Sequence, residues 1–324
     1  MTVDSAAALP PAVSFDLSDW TELELTGPDR AKFLHNFCTN DIKALPTGRG
    51  CQAFVANVQG KLLAHLFVYA GQETLHLFAA PGLSEKLIKH LSRYQINEEV
   101  AFQDATAAHR RLFVAGPKAP QALAALGIAV ATLPESGLIS GPPETGILQI
   151  FRNDFLRLPG YLVAGALASI EAFAGELAEV GVVPAGRDMF EGLRITAGFP
   201  LFGVDITDAN LAQEANLTAE AISFRKGCYL GQEPIARIDA LGHVNQQIRV
   251  LHLSLGPVPT AGTEVLADSP EGPSIGRITS AALHPSGHEI VALALMKRHH
   301  DTAGLSVKVA GPNGCLIGQV YGPA

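Results

Sequence analysis

From residue 245 onward the chain is written in short β-like runs, IRVLHLSL, EVLA, SIGRITSAALH, IVALALM, LSVKV and CLIGQVYG, parted by turn-forming residues. That texture predicts a small all-β domain over 245–324 and sets it apart from what precedes it. Residues 1–244 mix the two periods. TELEL at 21–25 alternates like a strand, and Thr26-Gly27-Pro28-Asp29 resembles a helix start, with Thr26 or Gly27 near the cap and a helix through about Asn36. Gly48 and Gly50 break the chain before CQAFVANV, which Gln59-Gly60-Lys61 separates from LLAHLFVY, so the two runs form a β-hairpin; TLHLFAA adds a strand. Leu87, Ile88 and Leu91 recur at helical spacing within 84–94, and RRLFVAG returns to strand composition. The stretch LPESGLISGPPETG at 133–146 is the clearest surface loop. Strands near 147–152 and 161–164 and helices near 167–180 and 188–197 complete a mixed α+β region. A chain of 324 residues exceeds what one core usually organises, a limit of about 250–300, so two or three packed units are expected, with the border inside 1–244 left open.

Apolar residues make up 48% and charged residues 17%, a globular balance that excludes disorder over most of the length. No uninterrupted apolar run is long enough to span a bilayer, and MTVDSAAALPPAVSFD has no basic start followed by an apolar core, so neither membrane insertion nor secretion is expected. Cys38, Cys51, Cys228 and Cys315 are widely separated, which gives no disulfide framework and no Cys-x-x-Cys pair; reduced thiols in a cytoplasm fit best. A formal net charge of −8 argues against direct nucleic-acid binding, because neutralising phosphates needs a concentrated basic surface. The short basic groups His109-Arg110-Arg111 and Lys297-Arg298-His299-His300 read as solvated surface, each sufficient at most for one small anion. No nearby Cys/His/acid set completes a metal shell around His299-His300.

The densest unusual run is Ser223-Phe-Arg-Lys-Gly-Cys-Tyr-Leu-Gly-Gln-Glu-Pro-Ile-Ala-Arg237, where one thiol follows a glycine and two cations. Arg225 and Lys226 would favour the thiolate of Cys228 if their side chains approach the sulfur. Gly227 and Gly231 let the backbone come close to a ligand. Gln232 and Glu233 add an amide and a carboxylate, and Arg237 can grip a carboxylate or phosphate with two donors. The same residues also suit a turn leading into a short helix, with Cys228 a small buried filler and the glycines present for geometry alone.

The run Lys226-Gly227-Cys228-Tyr229-Leu230-Gly231-Gln232-Glu233 closely resembles the K-G-C-Y-x-G-Q-E signature of the YgfZ family of folate-binding proteins, relatives of the glycine-cleavage T-protein. Leu193-Arg-Ile-Thr-Ala-Gly-Phe-Pro200 is similar to the family's R-I-x-A-G-x-P stretch, Leu25-Thr-Gly-Pro-Asp-Arg30 and Asn57-Val-Gln-Gly-Lys61 to its N-terminal blocks, and Gly276-Arg-Ile-Thr-Ser280 and Ala292-Leu-Ala-Leu-Met-Lys297 to its C-terminal barrel. The resemblance implies an α+β, multi-domain ring of the aminomethyltransferase (T-protein) fold with a small C-terminal β-barrel. It also implies tetrahydrofolate or a derivative as ligand, and a role in iron–sulfur cluster assembly or repair with iron–sulfur client or assembly proteins as partners; an effect on tRNA modification would lie downstream. A folate site needs hydrogen-bonding groups, apolar walls and local cations, so Asn57, Arg194, Arg225, Lys226 and Arg237 are its candidates.

T-protein enzymes carry adjacent acids after the hairpin glycine; the matching positions here, counted from Gly60, are Ala64 and His65. Where those enzymes have a glutamate in R-L-E-A-G, this chain has Thr196. A positioned acid or base contributes about 10²–10⁴ to a rate, so the usual aminomethyl transfer is not expected unless His65 or Glu233 replaces the acid. His65 could equally be a hydrogen-bonded structural residue of an apolar strand. No phosphate loop, Gly-x-Ser-x-Gly elbow or His-Glu-x-x-His helix occurs. Three functions stay open: an accessory folate-binding protein using Cys228, a folate-dependent one-carbon transferase, and a docking scaffold that folate only stabilises.

Overall fold

A computed structural model describes residues 10–142, 147–268, 272–311 and 314–321. The chain divides into two units, one of Pro10–Ala185 with Leu217–Ala236, the other of Gly186–Asn216 with the residues from Arg237 onward.

In the first unit the alternating and apolar runs become two sheets. One is antiparallel throughout, in the order β3 (Gly50–Ala56), β4 (Leu62–Ala70), β5 (Thr74–Ala79), β2 (Thr21–Thr26), β6 (Ala101–Asp104). The other runs β11 (Val183–Pro184), β1 (Val13–Asp16), β7 (Arg110–Ala115), β10 (Gly160–Gly165), β9 (Ile147–Arg152), β8 (Leu138–Ser140). The six-stranded sheet buries Val114, Ile150 and Val163 against Leu123 of α3 (Ala119–Ala125) and Phe173 and Leu177 of α4 (Leu167–Glu179). Aromatic side chains join the two sheets: Phe151 lies 4.7 Å from Phe78 and 4.9 Å from Tyr69, and Phe155, between β9 and β10, lies 4.9 Å from Phe113 and 5.7 Å from Phe67. Such ring pairs add about 0.5–1.5 kcal/mol each beyond the area they bury.

The expected hairpin is β3 and β4, paired from Gly50↔Tyr69 to Ala56↔Leu62. Three local readings change. The helix α1 (Arg30–Phe37) starts at Arg30 rather than near Thr26 or Gly27, because the Asp29 carboxylate, instead of capping it, accepts the Glu99 backbone N–H at 3.0 Å. The stretch taken as a loop at 133–146 contains β8, since Leu138 N donates to Gly48 O at 2.9 Å and Leu138 pairs with Phe151; residues 143–146 lie outside the described residues. Arg111, read as solvated surface, is fully buried. Its guanidinium pairs with Glu22 Oε2 and donates to the carbonyls of Ser18 and Thr106, so it closes the polar edge of the space between the sheets. The TELEL alternation therefore points Glu22 and Glu24 toward the second sheet, and Glu22 is buried.

In the second unit, α5 (Arg187–Thr196) ends as its sequence dictates. Gly198 takes φ +72°, its N–H bonds Ile195 O at 2.9 Å, and Phe199 N–H bonds Arg194 O at 2.9 Å, a Schellman stop that needs glycine at that position. Arg194 is fully buried: Nη1 donates to Asp205 at 2.8 Å and Nε to Glu191 at 2.8 Å. Asp205 also accepts from Leu201 N and from the hydroxyls of Thr279 and Ser280. The six C-terminal runs form a closed antiparallel barrel in the order β12 (Gln246–Leu253), β15 (Ile290–Lys297), β14 (Ser274–Leu283), β13 (Glu264–Ala267), β16 (Ser306–Gly311), β17 (Gly314–Tyr321), with β17 back on β12. Ile290, Ala292, Ala294 and Met296 face its core at period two, and closure leaves no sheet edge unpaired.

Candidate functional site

The signature run is a loop stapled to the end of α1. Lys226, buried, donates to the carbonyls of His35, Cys38 (2.7 Å) and Asn40 (2.9 Å), which satisfies groups left over where the helix stops and places a cation at its negative end. Its ammonium also lies 4.7 Å from the centre of the buried Tyr229 ring. Burial lowers the Lys226 ammonium from its ordinary value and pushes the Tyr229 phenol up to about 12. Leu230 N donates to Asn36 O at 2.9 Å, and Ser223 N to Thr39 O at 2.9 Å. Gly231, at φ +80°, sits so close to the β3–β4 turn that a Cβ there would fall 2.4 Å from Asn57 O. Helix α7 (Gln232–Leu241) begins at once, with Gln232 and Glu233 in its first turn, where a carboxylate suits the helix dipole.

These anchors leave Phe224, Arg225, Gly227 and Cys228 exposed. Cys228 is thus a presented thiol, and the alternative that it fills a buried gap is overturned. The thiols that sense the Lys226 charge are instead Cys38 and Cys51, which burial pushes up to about 11 and about 12 and so holds protonated. Asn57, Arg225, Lys226 and Cys228 fall in one unit and Arg194 and Arg237 in the other. Asn57 serves its own turn, its Oδ1 accepting from Gln59 N (2.9 Å) and Lys61 N (3.0 Å). Arg237 and Glu233 are exposed on α7, while Arg194 is committed to Asp205 and Glu191.

Two residues that hold this site had no marker in the sequence. Thr39 Oγ1 donates to Ala221 O at 2.6 Å and accepts from Phe54 N at 2.8 Å, and Asn40 Nδ2 reaches Gln52 O and Glu220 O. The only hint was a Thr-Asn-Asp cluster directly after a helical segment.

Residues 4–135 match the GCVT N-terminal domain family. The aminomethyltransferase of Streptomyces avermitilis is 28% identical over 315 residues, 92% of this chain and 82% of that protein. The tRNA-modifying protein YgfZ of Yersinia enterocolitica is 27% identical over 256 residues, 79% of this chain and 75% of that protein. The crystal structure of glycine cleavage system aminomethyltransferase T from Bartonella henselae superposes with a TM-score of 0.86 at 21% identity, covering 98% of this chain and 88% of that one. The chain thus resembles YgfZ and GcvT-like proteins along most of its length. Its fold is the aminomethyltransferase T fold.

At the positions that the resemblance sets against the T-protein acids, none of the residues present offers a carboxylate. Ala64 is buried in β4. His65, beside it, is buried between Phe54 (5.1 Å) and Phe67 (5.2 Å), and its Nε2 lies 3.0 Å from Gln52 Oε1. Burial pushes its pKa down to about 3, so the ring is neutral at physiological pH and has no proton to give as an acid. Thr196 turns its hydroxyl back onto Gly192 O at 2.7 Å. Glu233, exposed in the first turn of α7, is the carboxylate of the signature run.

Proposed function

We propose that this chain is a folate-binding protein acting in tRNA modification, and that it acts indirectly, by supporting iron–sulfur enzymes through the thiol of Cys228. The observation that carries the reading is the split character of the signature loop: Lys226 and Tyr229 are buried as anchors, and Cys228 between them is exposed. A rigidly held, accessible thiol suits reaction with, or ligation by, a partner. The likeness to a YgfZ protein named for tRNA modification supports the pathway, and the likeness to aminomethyltransferases supports tetrahydrofolate or a derivative as ligand. Of the candidate cations, Arg225, exposed beside the signature thiol in sequence, is open to the anionic glutamate tail, Arg237 is exposed in the other unit, and Lys226 and Arg194 are positioning residues.

Isothermal titration with tetrahydrofolate under anaerobic, reducing conditions, with folic acid for comparison, tests the ligand: saturation near one per chain is expected, and no heat at high concentration would remove folate from the proposal. In a strain lacking the gene, Cys228→Ala is expected to bind folate as wild type does and to leave iron–sulfur enzyme activities low; full rescue would remove the thiol.

A one-carbon transferase is the second reading, favoured by 28% identity to an aminomethyltransferase across 92% of the chain. With His65 buried and neutral, it rests on Glu233, and silence of purified protein with methylene and methyl donors across several acceptors would end it.

A further inference from the structure

The most polar buried region of the first unit lies away from the signature loop, between the two sheets. Glu22 and Glu24 sit two residues apart on the same face of β2, and His76 of β5 is directly opposite Glu24 in the ladder. One ligand atom from each of Glu22, Glu24 and His109 lies within 4.8 Å of the others. His109 Nδ1 is 3.0 Å from Glu22 Oε1, and His76 Nδ1 is 3.5 Å from Glu24 Oε1.

Two features set this cluster apart from an ordinary internal ion-pair network. The first is His76 itself, 3% exposed: Nε2 meets the side-chain amide of Gln149 at 2.9 Å, but Nδ1, although close to Glu24, is off the line of a hydrogen bond and has no partner among the described residues. A buried nitrogen left without a hydrogen-bond partner is destabilising, and here it faces a carboxylate with which no Lys or Arg pairs among the described residues. The second is access. His109 lines a cavity of about 530 Å³ with Ser18, Asp104, Thr106, Arg110 and Leu167, so an ion and its completing water have a way in.

We propose that Glu22, Glu24, His109 and His76 form a binding site for one divalent first-row cation, with Zn²⁺ the best fit to two imidazole nitrogens and two carboxylates. Tetrahedral ligands about 2.1 Å from zinc lie about 3.4 Å from one another, a spacing that the 3.0 Å and 3.5 Å pairs already bracket; His76 joins the Glu22, Glu24 and His109 group through Glu24. Arg111 does not compete for the centre. It holds the other oxygen of Glu22 and is itself fixed by backbone carbonyls, the outer-shell support that ligating carboxylates usually have. Mixed imidazole and carboxylate donors favour zinc over magnesium, which demands oxygen ligands and keeps its waters.

The test uses the full chain carrying Cys228→Ser and Cys315→Ser, stripped with chelator and titrated calorimetrically with ZnCl₂ and, separately, MgCl₂. One Zn²⁺ per chain, no saturable Mg²⁺ and a rise in melting temperature with zinc are expected. Glu24→Gln and His109→Gln should each weaken zinc at least about tenfold and abolish the rise, while each metal-free variant still melts cooperatively. His299→Ala should change nothing. Absence of saturable zinc binding, or binding unchanged in both ligand variants, overturns the proposal. Should a ligand variant fail to fold, Co²⁺ substitution of the Cys228→Ser, Cys315→Ser chain decides: visible bands without a thiolate-to-metal band support a nitrogen and oxygen site, and a thiolate band refutes it.

Discussion

Lys226 and Cys228 are two residues apart, and the first is buried where the second is exposed, so substitutions at the two positions should fail in different ways. Lys226→Met removes three charge-assisted hydrogen bonds and leaves the carbonyls at the end of α1 without a donor. A loss of about 3 kcal/mol in urea unfolding is expected; a loss below about 0.5 kcal/mol would mean that the staple is not what holds the loop. Cys228→Ala touches an exposed side chain and should shift stability by no more than about 0.5 kcal/mol, so any functional loss belongs to the thiol. The signature was legible at this scale as a pattern, but the division of labour within it was not. The sequence left open whether Lys226 approaches the sulfur. Three carbonyls contributed by residues 35–40, nearly two hundred positions away in the chain, turn it inward instead.

Among elements, the contact that shapes the site is between the start of α7 and the β3–β4 turn. Gly231→Ala would require a left-handed conformation that costs an alanine about 1–2 kcal/mol and would drive its Cβ into Asn57 O. The loop should shift, and Cys228 should react faster with a soluble thiol reagent than in the unaltered chain; an unchanged rate would show that the close approach does not restrain the thiol. The hairpin, the helix ended by Gly198 and the six strands of the barrel were readable because turn chemistry and periodicity are local. The short strand β8 was not, because its composition is that of a loop and only pairing with β9 and Gly48 makes it a strand.

For the molecule as a whole, buried histidines make stability depend on pH. His65 and His76 are pushed by burial from about 6.5 down to about 3 and about 4. Below pH 6.5 the unfolded chain takes up protons that the folded chain refuses, so stability is full above that pH and falls on acidification until the folded pKa is reached, by roughly 1.4 kcal/mol per pH unit for each such group. Urea unfolding between pH 7 and pH 4 should show this slope, and His65→Gln should reduce it; an unchanged slope would reassign the acid sensitivity. The net charge of −8 acts at the same scale. No complex with tRNA is expected in a gel-shift assay at physiological salt, and a salt-sensitive complex would favour direct action on RNA. By itself the sequence determined the α+β character, the all-β C-terminal segment and the signature run, since each is written in contiguous residues. Only the tertiary structure decided that His65 is neutral, that Lys226 and Arg194 are anchors, that Cys228 is exposed, and that Glu22 and Glu24 look into the protein. The charge and reach of a polar side chain depend on which distant groups replace its water, and no local pattern records that.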